Sequence, residues 1–216
     1  MLNITKACFI QSNSKYKSNT VEIDSVTEEF SSPRDELLKT GSFFPGRPYV
    51  RKIGTIKLSK ENQSQCNHQF KTAGRLGAGT LLFWCGRHRN CIGFTILQSA
   101  ESSQTVYSTI LGRFKKIPKY IIYDNGCNLY DYILNRSPNH FKESYVVSDG
   151  FHWKNHINCG STFNAKIYKH LDDVSTVLHE QKNALIHKLK RTSVHMNFDT
   201  FCEFLGKVQF FIKFTI

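Results

Sequence analysis

The sequence predicts an α/β domain: a mixed sheet flanked by helices, behind a less ordered N-terminal segment. Two observations carry that reading. Short apolar runs of strand length alternate with segments whose apolar residues recur at helical spacing. Their order (hairpin, helix, strand, helix, strand, helices) belongs to a layered fold. The 216 residues are 40% hydrophobic, enough for a real core and for one domain plus a small appendage. No internal repeat is visible.

Residues 1–48 form the expected appendage. Residues 1–30 are rich in Ser, Thr, Asn and Lys, with one strand expected at Ala7–Ile10. Ser32-Pro33-Arg34-Asp35 then opens a helix: Ser32 caps, Pro33 fits the first helical position and Asp35 reaches back to a free N–H. Gly41 stops it. Phe43-Phe44-Pro45-Gly46-Arg47-Pro48 reads as a turn-rich linker, and the domain boundary is placed there. The main domain, 49–216, begins with strands at 80–85 and 91–97 joined by the hairpin-sized Gly86-Arg87-His88-Arg89-Asn90. Val106, Ile110, Leu111 and Phe114 mark a helix that Pro118 ends. A strand at 119–123 closes at Asp124-Asn125-Gly126, a short helix carries Leu129, Tyr130, Ile133 and Leu134, and a strand at 144–147 ends near Asp149. A long helix is expected over 174–190. A last one carries Phe201, Phe204, Leu205, Val208, Phe211 and Ile212, and the pattern is still running at Ile216, which reads as a fragment or a truncated gene product.

Charge narrows the partners. The net charge is +12, and it is uneven. Residues 1–50 balance six Lys/Arg with six Asp/Glu, whereas residues 71–120 hold eight Lys/Arg against one acid. A basic body behind a neutral front points to a polyanion, nucleic acid before an acidic membrane. No run approaches the roughly 18 apolar residues of a membrane span, and the N-terminus lacks a signal-peptide core. Seven Cys, an odd number without a compact framework, argue for a reducing compartment with thiols in the core or on metal.

Four constellations could carry chemistry. Asp124 follows a predicted buried strand, at the edge where open α/β sheets place ligand groups. It either holds a divalent cation, as hard oxygen ligands do, or caps the next helix. His152, His156 and Cys159 suit zinc, with Asp149 or the Cys85–His88–Cys91 hairpin as further ligands; half-buried His and core Cys are the alternative. Glu180 lies roughly 130° from the apolar stripe of its predicted helix and faces a cleft or solvent. Arg87, Arg89, Arg113, Lys115, Lys116 and Lys119 are candidates for phosphate contact, near Phe83, Trp84, Phe94 and Phe114, which are read as core.

An ordered set of motifs adds a resemblance. It comprises Tyr123-Asp124-Asn125-Gly126-Cys127-Asn128, Asn135-Arg136-Ser137-Pro138, Asp149-Gly150-Phe151-His152 with His156 and Cys159, and His179-Glu180-Gln181-Lys182-Asn183. Cys66-Asn67-His68-Gln69-Phe70, Gly93-Phe94 and Ala100-Glu101-Ser102 lie upstream. The set resembles the KDZ (Kyakuja–Dileera–Zisupton) transposases over roughly residues 60–212. The resemblance implies a ribonuclease-H-like fold, an acidic triad binding Mg²⁺ or Mn²⁺, DNA as partner, phosphodiester cleavage and strand transfer, and a nuclear location; assembly with further copies stays open. Asp124 matches the central carboxylate and Glu180 the helix-borne one. Asp149, His152, His156 and Cys159 match a family segment of unassigned role. The opening strand departs from the family: residues 62–85 contain no Asp or Glu. That departure allows a decayed transposase, or a non-catalytic, zinc-stabilised DNA-binding protein derived from one.

Overall fold

The computed structural model describes residues 23–24, 30–53, 79–88, 90–97, 101–150, 152–155, 159–172, 174, 192 and 196–214. These form a mixed α/β protein of helices and small sheets. The strand expected at Ala7–Ile10 and the helix expected over 174–190 lie outside the described residues. The chain folds as two compact units. The first takes residues 1–27, 49–67 and 102–173, and the second takes 28–48, 68–101 and 174–216. The units therefore do not follow a single division at residue 48.

In the first unit, β1 (Ile23–Asp24) pairs antiparallel with β3 (Lys52–Ile53). Helix α2 (Ser103–Arg113) starts at Ser102, whose Oγ accepts from the Thr105 N–H. It buries Val106, Tyr107, Ile110 and Leu111. It stops at Arg113, well before Pro118, because Phe114 leaves helical geometry. Arg51 explains this stop: its guanidinium donates to the Leu111, Phe114 and Lys115 carbonyls at 2.9, 2.8 and 2.8 Å. A cation thus satisfies carbonyls that a longer helix would have bonded itself.

Strands β6 (Tyr120–Ile122) and β7 (Tyr145–Val147) are parallel, with Tyr120 opposite Tyr145 and Ile122 opposite Val147. The ladder runs on at both ends, from Tyr145 N–H to Lys119 O and from Tyr123 N–H to Val147 O, each 3.0 Å. Helix α3 (Gly126–Leu134) connects them, as a parallel pair requires. Ile121, Val146, Val147, Leu129 and Ile133 are buried together with Phe141. Each such side chain contributes about 1.5–3 kcal/mol relative to exposure. Tyr107 is fully buried; its hydroxyl meets Ser137 Oγ at 2.7 Å and its ring stacks on Phe141. After β7, Ser148 N–H donates to Phe163 O and Ala165 N–H to Ser148 O, which tie residues 163–165 alongside the strand end.

In the second unit, α1 (Pro33–Thr40) has the expected ends: Ser32 Oγ accepts from Asp35 N–H at 3.1 Å, and Gly41 takes a left-handed φ of 69°. Strands β2 (Ser42–Phe43), β4 (Gly79–Cys85) and β5 (Asn90–Leu97) form an antiparallel sheet in the order β2-β5-β4. Leu37, Phe94 and Ile96 pack with Cys202 and Leu205 of α4 (Phe198–Phe214). The expected linker is thus partly core: Phe43 is in a strand, and Phe44 is 2% exposed. Phe44 lies flat over Gly93, where a Cβ would come within 2.1 Å of the ring. Two aromatic side chains in a Pro/Gly context were read as a turn, and their apolar burial won.

Among the described residues no helix is long and apolar enough to cross a membrane. Two glycines offer a contrast. At Gly126 a Cβ would sit 2.8 Å from Ser148 Oγ and from the Val147 carbonyl carbon, mostly backbone that cannot yield. At Gly206, inside α4, it would meet nothing within 4 Å. Gly126→Ala is expected to lower stability by about 1–3 kcal/mol through overpacking. Gly206→Ala is expected to raise it by up to about 1 kcal/mol through helix propensity. Urea unfolding of the three proteins checks both signs.

Candidate functional site

The parallel register builds the candidate site. Asp124 stands two residues past Ile122, and Asp149 stands two residues past its partner Val147. Both carboxylates therefore leave the same carboxyl edge of the β6–β7 pair. Gly126 holds the first turn of α3 against β7, with its N–H donating to Ser148 Oγ at 3.2 Å. The N-cap of α3 is Asn125, and its side chain makes no capping bond. The capping alternative for Asp124 gives way to a different contact: its carboxylate faces His152.

His152 is the link between the two acids. Its Nδ1 lies 3.4 Å from Asp124 Oδ1 and 3.6 Å from Asp149 Oδ1. Trp153 N–H donates to Asp149 O at 3.0 Å and starts the 3₁₀ turn Trp153–Asn155, which folds His152 back over the strand ends. The surroundings of the acids differ. The Asp124 side chain is 60% exposed and the Asp149 side chain 5%. A protonated His152 pairs with both at once; a neutral one leaves two carboxylates within reach of a single ligand.

Beside this group sit two thiols. Cys159 Sγ is 3.7 Å from Ser148 Oγ. Burial, and then the neighbouring Cys159 thiol, push Cys127 up to about 12, so it carries its proton at neutral pH. A soft metal would have to displace that proton to use Cys127. Among the described residues no group of three or more His, Cys, Asp and Glu side chains is arranged to hold a metal ion. His156 and Glu180 lie outside the described residues, so the structure joins His152 to Asp124 and Asp149 but bears on neither of those.

The hairpin cluster divides. Cys85 Sγ meets His88 Nδ1 at 3.1 Å, while Cys91 pairs with Trp84, packs with it and donates its S–H to Gly93 O. Adjacent strand residues face opposite ways, so Cys91 turns from the Cys85–His88 pair. The basic set divides too. Arg87, Lys115, Lys116 and Lys119 are exposed, and Arg89 lies outside the described residues. Arg113 is corrected: it is 2% exposed, its guanidinium 3.5 Å from the Tyr49 ring centre, so it is an interior cation–π partner and not a surface cation. Phe83, Trp84, Phe94 and Phe114 are core, as expected. A cleft of about 360 Å³ in the second unit, lined by Leu37, Phe43 and Cys202 among others, contains none of the residues that the sequence singled out.

The chain matches no protein-family model, no curated protein and no solved structure. The KDZ resemblance therefore stands on its motifs alone. Sequence reasoning named Asp124, Asp149 and His152 and offered Asp149 as a ligand beside His152, but it did not bring Asp124 to His152. The signal was present: Tyr120-Ile121-Ile122-Tyr123-Asp124 and Tyr145-Val146-Val147-Ser148-Asp149 share one pattern, Tyr, two aliphatics, one residue, Asp.

The thiol pair makes a direct prediction. At pH 8, Cys127 is expected to alkylate with iodoacetamide at least about tenfold more slowly than an ordinary exposed cysteine, because little thiolate forms. Cys159→Ala is expected to speed it. Peptide mass spectrometry over a time course reads both rates, and a fast Cys127 in the wild type would refute the assigned environment.

Proposed function

We propose that the chain derives from a KDZ-type DNA transposase: a ribonuclease-H-like domain that binds DNA and a divalent cation, Mg²⁺ or Mn²⁺, through Asp124 and Asp149. The observation that carries this reading is the shared carboxyl edge of two in-register parallel strands from which both acids project. The parallel pair β6–β7 with its connecting helix α3 supports the same fold, while the hairpin β4–β5 stands in a separate sheet. Glu180 enters as the third carboxylate through the resemblance alone.

The donor chemistry fits a hard cation: two carboxylates, one facing water and one interior, at a single strand edge. When bound, such a metal supplies the charge that activates water or a DNA 3′-hydroxyl against a phosphodiester. The chain's own residues have simpler tasks. Asp149, held in the interior, fixes the inner side of the site. Asp124, on the water side, is placed to take hold of a cation arriving from solvent. His152, when protonated, offsets one of the two carboxylate charges, whereas a divalent cation held by the pair would match both. The absence of an acid from residues 62–85 removes one anionic ligand, so cleavage and strand transfer are expected to be weak or lost while cation binding persists. Exposed Arg87, Lys115, Lys116 and Lys119 provide phosphate contacts.

A second reading has one observation in its favour. Cys159 lies against Cys127, a thiol pair that suits a structural zinc in a non-catalytic DNA-binding descendant.

Calorimetric titration of the full chain separates the two. Mn²⁺ affinity is expected to fall at least about tenfold in Asp124→Asn and in Asp149→Asn, the cost that loss of even an outer partner imposes on a metal site. Unchanged Mn²⁺ affinity overturns the carboxylate site, and stoichiometric zinc lost in Cys159→Ser selects the second reading. For DNA, Lys115→Gln with Lys116→Gln is expected to weaken duplex binding and reduce the slope of log K against log salt by about 2. Fluorescence anisotropy across a salt series measures this, and an unaltered slope would show that these lysines make no phosphate contacts.

A further inference from the structure

The opposite, amino edge of β6–β7 carries a group of rings that the carboxylate site does not use. Tyr120 and Tyr145 open the two strands in register, so their rings stand side by side. Their centroids are 5.2 Å apart and their planes 13° from parallel. The His170 ring is tilted against Tyr120, with centroids 4.5 Å apart, and Tyr168 meets His170 edge-on at 6.1 Å. Lys119 Nζ sits 5.5 Å from the Tyr120 ring centre. The three tyrosines are half-buried, and His170, Lys119 and Lys169 are exposed. The Tyr168 hydroxyl donates to Thr162 O at 2.7 Å, which anchors that ring.

We infer that this array is a stacking platform for the bases of single-stranded DNA. The ring row is half-buried at its tyrosines, exposed at His170, and accompanied by the exposed Lys119 and Lys169. That combination of π-faces and cations suits unpaired bases joined by phosphates, because every base offers a face and every linkage a charge. Duplex DNA keeps its bases stacked on one another and cannot use the rings. At about 3.3 Å per residue the platform lies about 13 Å along the strands from the carboxylate edge, within reach of one short strand segment. The choice of DNA over RNA rests on the transposase reading; the stacking surface itself does not.

The test is anisotropy titration of the full chain with labelled oligo-dT, an abasic oligonucleotide of equal length, oligo-rU and a duplex. Oligo-dT is expected to bind about tenfold or more tightly than the abasic strand, and more tightly than rU and the duplex. Tyr120→Ala and His170→Ala are each expected to weaken oligo-dT about tenfold and leave the abasic strand unchanged. Tyr120→Phe, which keeps the ring, should match the wild type. His170 is exposed, so its variant tests the platform without disturbing the strands. Equal affinity for dT and abasic strands, or an unaffected His170→Ala, overturns the platform. A preference for rU or duplex overturns the choice of occupant. Asp124→Asn is expected to bind oligo-dT like the wild type, so loss of the cation site and loss of the platform are read separately.

Discussion

One constraint organises the first unit: the in-register parallel pairing of β6 with β7. Three residue pairs seem few, yet they set both ends of the candidate functional surface. At one edge they align two tyrosines. At the other they align two aspartates, which the sequence separates by 25 positions. A slip of one residue would move each side chain to the other face and separate both pairs. Register is therefore the quantity that the surrounding packing has to protect.

The protection comes from several directions. Strand β7 packs against α3 and α3 against α2, and Ile121, Val146 and Val147 are buried along with Ile110, Leu111, Leu129 and Ile133 of those helices. Gly126 lets the start of α3 touch the backbone at Val147 and Ser148, a distance that no side chain would permit. Ser148 then serves three neighbours, bonding Gly126 through its hydroxyl and Phe163 and Ala165 through its backbone. Arg51 does similar work at the far end of α2, where it gathers three carbonyls and ends the helix. These are local, directional contacts laid over a non-directional apolar core.

Much of this was legible in the chain. Ser32, Pro33 and Gly41 mark the ends of α1 because capping and left-handed geometry depend on residue type alone. The hairpin β4–β5 and the strands β6 and β7 were visible as apolar runs bounded by turn residues. The readings that failed depended on partners remote in sequence. Pro118 looked like the natural end of α2, but Arg51, some sixty positions earlier, ends it first. Arg113 looked like a surface cation until Tyr49 was seen to cover it. Cys85, His88 and Cys91 looked like one ligand set, but the alternation of a strand sends Cys91 to the other face. The bridge from His152 to two acids depends on register, and a sequence shows register only to a reader who already knows which strands are neighbours.

The covering of Gly93 by Phe44 bears on how this molecule can be divided. A chain shortened to begin at residue 49 would lose α1, the edge strand β2 and the ring that closes over Gly93. What remained of that sheet would be a two-stranded ribbon, an arrangement of marginal stability in water, with Phe94 and Ile96 deprived of Leu37 and left to Cys202 and Leu205 of α4. Residues 33–44 thus belong to the second unit as its first helix and the edge strand of its antiparallel sheet.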